Sequence, residues 1–578
     1  MRRFARCSVM FAAAIWLLVA AATLLEALSI AHVGSVNAPV LEEWLNADPA
    51  YYLPRLFEKY NSHPMVVERL ALALDYRLFD AQGWALRYGA LAALFLSALA
   101  IGWLGRLSGS RTPAAIVATT AVATVVLLNP EGADNYTWGF QFCFVTAFAF
   151  TVGAIVCLAQ YATQPRIPWL IASVILGLGA ALSLGNGVLT PFLLALMAWR
   201  LGASRRVVAA FGALALICAL LLALMPTSTP AVIVFDVWRV LTFGFCLLGS
   251  SPAATFADAA KFGGLHMDPV VLALILGVAL ALAAGTLSMQ AIAEMPPNPG
   301  KIGAVALISF SLASAGLASV GRSYAVLAYA LSSRYTIVSA VLLAGTAVLV
   351  SSSVKSTSWK LNALALILAA PCTLVVPIAG LAQEQSFTVL GRQLARAQAA
   401  IVAGVETQTG LGRLGTVLYP FVTVKQVAPL IAKLRTERKW MFAERWAQRV
   451  GERIAIPASK LDTCGDGGIL DAATSAQGFV EWRGHVNAGE MNRAEAIVIL
   501  DKAGVMRGYG ALPRRPIETM LFNRHQNVEW QGYSTAAPGD TYSAYPASSG
   551  GILCRLGSVA LSSVTPGTSS RRVEQRVD

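Results

Sequence analysis

Through residue 381 the chain alternates long apolar runs with short polar breaks. A helix needs about 17–25 apolar residues to cross roughly 30 Å of hydrocarbon. On that measure the pattern predicts eleven membrane helices, at 8–29, 84–104, 113–128, 138–159, 167–184, 188–201, 207–225, 270–289, 302–320, 335–353 and 361–381. A further stretch, 231–248, is apolar enough to be considered, but Asp236 and Arg239 are costly at mid-bilayer. The expectation there is a re-entrant or interfacial segment, leaving eleven spans.

Charge orients this stack. Lys and Arg in short loops resist translocation, while Asp and Glu count for little. Arg2, Arg3 and Arg6 place the N-terminus in the cytoplasm, with Arg106, Arg111, Arg166, Arg200, Arg205, Arg206, Lys301, Lys355 and Lys360 on the same side. The acids fall almost entirely on the other side: Glu42, Glu43, Asp48, Glu58, Glu68, Asp75, Asp80, Glu131, Asp134, Asp258 and Asp268, with Glu294 the exception. The C-terminus is then external. The first apolar run is longer than the ~7–15 residues of a signal-peptide core, so it reads as an uncleaved first span.

Composition changes the picture little. The chain is 56% hydrophobic and 13% charged, far below the ~25% charged of soluble domains. A net charge of +13 follows from basic cytoplasmic loops and a basic membrane-proximal segment, and does not call for nucleic acid as a partner. Six of the eight cysteines (Cys7, Cys143, Cys157, Cys218, Cys246 and Cys372) lie in or beside apolar segments as packing residues. The other two, Cys464 and Cys554, bracket the polar C-terminal region and can close it as a disulfide in an oxidising compartment. No Cys-x-x-Cys or His cluster points to zinc, no Gly-rich loop to a cytoplasmic nucleotide sugar, and no cofactor is indicated, although a divalent metal remains compatible.

The chain divides into a transmembrane domain (1–381, with a first external loop at 31–83), a helical basic linker (382–461), a periplasmic β-sandwich (462–561) and a disordered tail (562–578). In the linker, Lys433, Arg435, Arg438, Lys439, Arg445, Arg449 and Arg453 interleave with Leu430, Leu434, Trp440, Phe442 and Trp446. Such a helix either lies on a membrane surface or packs on its neighbour. The β reading rests on short runs at 478–484, 495–500 and from Tyr533, with turns at Asp466-Gly467, 501–504 and 538–540.

Candidate chemistry gathers on the external side. The loop 31–83 predicts helical stretches near 40–60 and 64–79 and carries seven acids with Arg55, Lys59, Arg69 and Arg77. By charge alone this pair of helices is a solvated amphipathic surface. On the same side lie His63, Asn135 to Gln141, Ser183 to Gly187, Arg322-Ser-Tyr324 and Ser333-Arg334-Tyr335. Arginines, amides and carboxylates at one bilayer face make a pocket for an anionic headgroup.

The order of these segments resembles the C-type superfamily of glycosyltransferases (GT-C), polytopic enzymes that use polyprenyl-phosphate-linked sugars, and within it a bacterial inner-membrane branch. The likeness is carried by Glu42-Glu43-Trp44, Tyr60-Asn-Ser-His63 with Arg69, Trp138-Gly-Phe-Gln141, Ser183 to Gly187, Arg334-Tyr335 and Leu418-Tyr-Pro420. It departs from the family pattern at His63-Pro64, where an arginine would follow the histidine, and in having Glu-Glu as its paired acids. The resemblance implies that Glu43 or Glu42, with Asp48 in reserve, takes the acceptor proton. It implies that Arg334 and Arg322, with His63 and Arg69, hold the donor phosphate, and that Asn135, Gln141, Asn186 and Tyr335 contact sugar. The implied partners are the bilayer, a polyprenyl-phosphate sugar and a cell-surface glycan or glycolipid acceptor. Two other classes fit the same sequence: a non-catalytic scaffold for envelope polysaccharide assembly, and a lipid-linked glycan transporter.

Overall fold

The computed structural model describes residues 2–35, 39, 43–44, 47–60, 62–109, 113–227, 236–353, 359–405, 424–457, 460, 462–464, 468–474, 479–486, 493–517, 528–535 and 540–561. Glu42, Leu418-Tyr-Pro420, the turns at 466–467 and 538–539, and the tail 562–578 lie outside them. The chain forms two units: residues 1–31, 51–71 and 85–385, and residues 32–50, 72–84 and 386–578.

The first unit is helical. In chain order its helices, with those shared at the unit boundaries, are α1 (Arg2–Val33), α2 (Pro49–Tyr52), α3 (Val66–Leu78), α4 (Trp84–Leu107), α5 (Pro113–Leu127), α6 (Asp134–Thr137), α7 (Phe142–Thr163), α8 (Ile167–Ser183), α9 (Leu189–Arg200), α10 (Arg205–Leu224), α11 (Val237–Leu248), α12 (Ser250–Phe262), α13 (Pro269–Ala293), α14 (Pro299–Arg322), α15 (Thr336–Ser353) and α16 (Trp359–Val402). Each of the eleven apolar runs falls on one of these helices. Among the described residues, seven spans are long and apolar enough to cross a membrane, or eight if one bent pair counts as a span. This is a multi-pass membrane protein. Helices α5 and α8 are apolar but shorter, and α9 has only 12 residues.

Burial ranks the spans. The apolar windows of α14 and α15 are 67% buried, against 17% for α10 and α13. The first two therefore form the centre of the unit, while the second two turn residues such as Leu216, Leu220, Ile275 and Leu282 outward, as lipid-facing surfaces do. The bent pair is α11 with α12, turned by 63° at Gly249. Asp236 caps α11, accepting from the amides of Trp238 (3.0 Å) and Arg239 (3.2 Å). Asp236 and Arg239 thus occupy an exposed helix end, where their charges need not be buried.

The first loop differs from its expectation. The stretch 64–79 appears as α3, but within 40–60 the only α-helix among the described residues is the four-residue α2, followed by turns. Pro54 has no amide to continue a helix through this region. The loop acids are also not simply solvated: Glu43, Glu68 and Asp75 are buried. Asp75 Oδ2 accepts the Gly83 amide at 2.7 Å, closing the turn after α3.

Among the described residues the second unit contains one antiparallel sheet: β1 (Gly468–Thr474), β2 (Phe479–Val486), β3 (Ala496–Asp501), β4 (Met506–Ala511), β5 (Val528–Thr535), β6 (Thr541–Ser548), β7 (Gly551–Ile552) and β8 (Gly557–Ala560). The strands join in a single path, β1-β2-β5-β4-β3-β6-β7, with β8 beside β6. This replaces the expected sandwich of two sheets. Strand β3 shows why, since its residues 496–500 are buried on both faces. Ala496, Val498 and Leu500 pack with Trp440, Phe442, Ile401 and Leu434, supplied by α16, α17 (Val424–Glu437) and the turns after it. Ile497 and Ile499 pack with Val480, Trp482 and Trp530. Helical segments cover one face, so no second sheet is required there.

Among the described residues of the expected linker, Leu434, Trp440, Phe442 and Trp446 therefore belong to this unit's core. Lys433 pairs with Asp48 (2.5 Å) and Lys439 with Asp80 (2.8 Å), while Arg435 lies over the Phe442 ring. Cys464 and Cys554 are joined as a disulfide.

Candidate functional site

The candidate chemistry of the first unit sits where two irregular connections meet. One links α5 to α7 through 3-10 turns at Pro130–Gly132 and Gly139–Gln141, with α6 between them; the other links α14 to α15 through turns at Leu327–Leu331 and Ser333–Tyr335. Irregular backbone inside a membrane bundle is tolerated only where protein or a cavity satisfies it. Here each connection satisfies the other. The Asp134 amide donates to Ser333 Oγ (3.0 Å), and Asn135 Nδ2 to the Ser333 carbonyl (3.3 Å).

Arg334 lies between two rings, its guanidinium carbon 5.1 Å from the Tyr329 centroid and 5.2 Å from that of Tyr335. It also donates to the Tyr329 hydroxyl. Its Nε is buried without a hydrogen-bond partner. Arg322 donates to the Tyr324 hydroxyl at 3.2 Å, and Tyr335 lies within reach of both guanidiniums. Aromatic edges extend the cluster, with Phe144 6.2 Å from Tyr335 and 6.3 Å from the His63 ring.

Beside it are amides with open valences. Gln141 is fully buried and neither amide atom is hydrogen-bonded. Asn186 donates to Ser314 Oγ (3.1 Å), leaving its oxygen unbonded, as is that of Asn135. A buried amide without partners costs roughly 1–3 kcal/mol, so such groups are costly unless a ligand or water fills them.

Two residues expected to hold phosphate do something else. Arg69 Nη1 donates to the carbonyls of Arg55 (2.6 Å), Leu56 (3.1 Å) and Glu58 (2.6 Å). Those bonds tie the loop that Pro54 interrupts, so Arg69 is a loop clamp. His63 accepts the Gly185 amide on Nδ1 at 3.3 Å, and its pKa falls to about 4 through burial and then the charge of Arg322. A neutral imidazole brings no positive charge to a phosphate, and its remaining contribution is the N–H on Nε2.

The expected proton acceptors lie in the second unit. Glu43 is buried there and Asp48 is paired with Lys433, so Asp48 is an ion-pair partner, while Glu42 is outside the described residues. The first unit has carboxylates of its own that the sequence reading had counted only as external acids. Gln383 Nε2 bridges Glu131 Oε2 (3.0 Å) and Asp258 Oδ2 (2.7 Å). Burial first, then Asp258, pushes Glu131 up to about 8, so its carboxyl is protonated at neutral pH. Asp134 is raised by burial and drawn back by Arg334. The Tyr136 hydroxyl, fully enclosed and unbonded, feels Glu131, Glu26 and Asp134. The signal available in the sequence was Glu131 and Asp134 flanking a span; Gln383, some 250 residues away, left none. Among the described residues no three His, Cys, Asp or Glu side chains group as a metal site.

No protein-family model, curated protein sequence or solved structure matches the chain.

Proposed function

We propose that the helical unit is a membrane glycosyltransferase that moves a sugar from a polyprenyl-phosphate carrier to a cell-surface glycan or glycolipid. One observation carries this reading: Arg322 and Arg334 meet around Tyr335, and Asn135, bonded to Ser333 beside Arg334, has a buried oxygen whose hydrogen bonds are unfilled. Guanidiniums match phosphate geometry and stabilise charge as it grows on a leaving group. Buried amides suit sugar hydroxyls.

On this reading the acceptor hydroxyl attacks the anomeric carbon, the carbon–oxygen bond to phosphate breaks, and the electron pair leaves on the phosphate held by Arg334 and Arg322. Asp134, in the same unit and within electrostatic reach of Arg334, receives the hydroxyl proton in the role first expected of Glu43. Gln141, Asn135 and Asn186 orient the sugar, and the Tyr335 ring packs against it. The short helices α5, α8 and α9 cross the membrane with the longer ones to give eleven spans. The N-terminus is cytoplasmic and the site and C-terminus periplasmic in a bacterial inner membrane, supported by the sidedness of Lys and Arg.

The test is the lipid-linked and surface glycan profile of a deletion strain carrying wild type, Arg334→Gln, Asp134→Asn or Glu43→Gln. Arg334→Gln is expected to lower transfer about 10²–10³-fold, the usual effect of losing one charge-stabilising donor. Asp134→Asn should fail to restore the missing sugar, and Glu43→Gln should restore it. Full restoration by well-expressed Arg334→Gln would remove the phosphate site and favour a non-catalytic scaffold.

A further inference from the structure

A second polar cluster of the helical unit is tied, through one short stretch of chain, to the turn that carries Arg334. Ser251, Thr255 and Asp258 recur at i, i+4 and i+7 on α12, which puts them on one face of that helix. All three meet residues 129–131. Asn129 Nδ2 donates to Ser251 Oγ (3.3 Å) and Thr255 Oγ1 (2.8 Å), while its Oδ1 accepts the Glu131 amide (3.0 Å). Asp258 lies within hydrogen-bonding reach of the Glu131 carboxyl, and Gln383 of α16 donates to both. The 3-10 turn Pro130–Gly132 is thereby fastened to α12 and α16.

The same turn presses on the start of α15. A Cβ on Gly132 would come within 2.8 Å of Thr336 Oγ1 and 3.5 Å of Asn135 Nδ2, so the lack of a side chain lets the two connections close. Thr336 Oγ1 donates to the Ser333 carbonyl (2.7 Å), the carbonyl that Asn135 also reaches, and Ser333 Oγ takes the Asp134 amide. Ser333 directly precedes Arg334. A continuous line of contacts therefore runs from α12 through Asn129, Glu131 and Gly132 to Thr336 and Ser333.

We propose that Asn129, Glu131 and Asp258 are positioning residues: with one proton between the two carboxyls they hold the 130–132 turn against the Arg334 turn, and loss of that proton to water lets the turns part. Two carboxylates side by side in a buried site repel each other, and withdrawal of the turn toward water relieves them. The charged and titratable groups around Glu131 are Asp258 from α12, with Tyr136 and Asp134 from α6. Glu26 of α1 reaches Tyr136, and Arg334 reaches Asp134. On α16, Glu384 follows Gln383 and accepts from Ser29, while α15 brings no titratable group. Because Glu131 is raised from 4.5 to about 8, its hold is full below 4.5 and is lost as pH rises through 8. That the held turn presents a phosphate ligand rests on the transferase reading; that Glu131 holds it does not.

Hydrogen exchange read by mass spectrometry tests this without turnover, on the full-length protein in phosphatidylcholine nanodiscs between about pH 6.5 and 8, with intrinsic exchange rates divided out. Protection of peptides covering 129–138 and 327–337 should fall together, by at most about tenfold per pH unit, as release of one proton requires. Both should be less protected than α10, because a local parting of the turns precedes unfolding of the unit. Glu131→Gln, which imitates the protonated side chain, should remove most of the slope in both segments. Asp134 and Asp258 are intact in that variant, so a slope of their making would survive. Thr255→Val takes one bond from Asn129 and should lower protection of both segments about two- to tenfold at every pH, the usual effect of one hydrogen bond, with the slope kept. The wild-type slope in Glu131→Gln, a loss confined to 129–138, or protection equal to that of α10 would each overturn the assignment. If Arg334→Gln restores the glycan while this exchange pattern holds, the transferase reading fails and the positioning role stands.

Discussion

Two arginines, both legible in the sequence as phosphate ligands, have different fates. Both keep a buried Nε without a hydrogen-bond partner, but Arg334 lies between two tyrosines. Arg69 spends one nitrogen on three carbonyls. Residue type could be read in advance; the direction of each side chain could not, because for Arg69 it depends on where Pro54 lets the loop turn. The consequence is measurable. Arg69→Gln should destabilise the helical unit by about 2–4 kcal/mol, since it removes three hydrogen bonds from a charged donor at once. In a melt in detergent its midpoint should drop, while transfer per folded molecule should stay at the wild-type level. A variant that melts like wild type but loses activity would restore Arg69 to the phosphate site.

Among elements, the apolar runs were legible because hydrophobic length is the physical requirement for a span. Places where the helix is broken were less so. The pattern around 231–248 did signal an exception through Asp236 and Arg239, and the structure shows its form: the helix starts at its charged cap and bends by 63° at Gly249, as a broken span or a re-entrant segment does. What permits the turn is close packing. A Cβ on Gly249 would meet the Ala273 carbonyl of α13, and a Cβ on Gly277 would meet the Phe245 carbonyl of α11. Without a hydrophobic drive between helices in lipid, such small-residue contacts hold the pair together. Gly277→Leu should therefore push α11 from α13, lowering the folded yield and costing upwards of ~1–3 kcal/mol. A wild-type melting curve and yield for that variant would show that the close approach is dispensable. In the other unit the runs at 478–484 and 495–500 marked β2 and β3, but β3 is apolar at every position from Ala496 to Leu500, and its two buried faces could not reveal that helical segments supply one of them.

For the helical unit as a whole, opposite titrations set the response to pH. Glu131 is raised from an ordinary 4.5 to about 8, mainly by burial. Its contribution to stability is full below 4.5 and is lost as pH rises through 8, because the folded state must then hold a buried negative charge. Asp134 acts in the same direction. His63 is lowered from 6.5 to about 4, so its contribution is present above 6.5 and is lost as pH falls toward 4. Between 4.5 and 6.5 the two oppose each other. From 6.5 to 8 Glu131 acts without opposition from His63, and stability should decline by at most about 1.4 kcal/mol per pH unit through it. Comparing thermal midpoints of variants with wild type isolates each group from the titrations of the sheet-bearing unit. Glu131→Gln should flatten the decline between 6.5 and 8 and, between 4.5 and 6.5, leave the loss from His63 no longer offset, so that stability falls more steeply on acidification. His63→Gln should leave the decline and remove the acid-side loss, so that the unit gains stability on acidification from 6.5 to 4.5. If Glu131→Gln instead reproduces the wild-type slope above 6.5, the carboxyl is ionised in the folded protein, and burial beside Asp258 does not keep its proton.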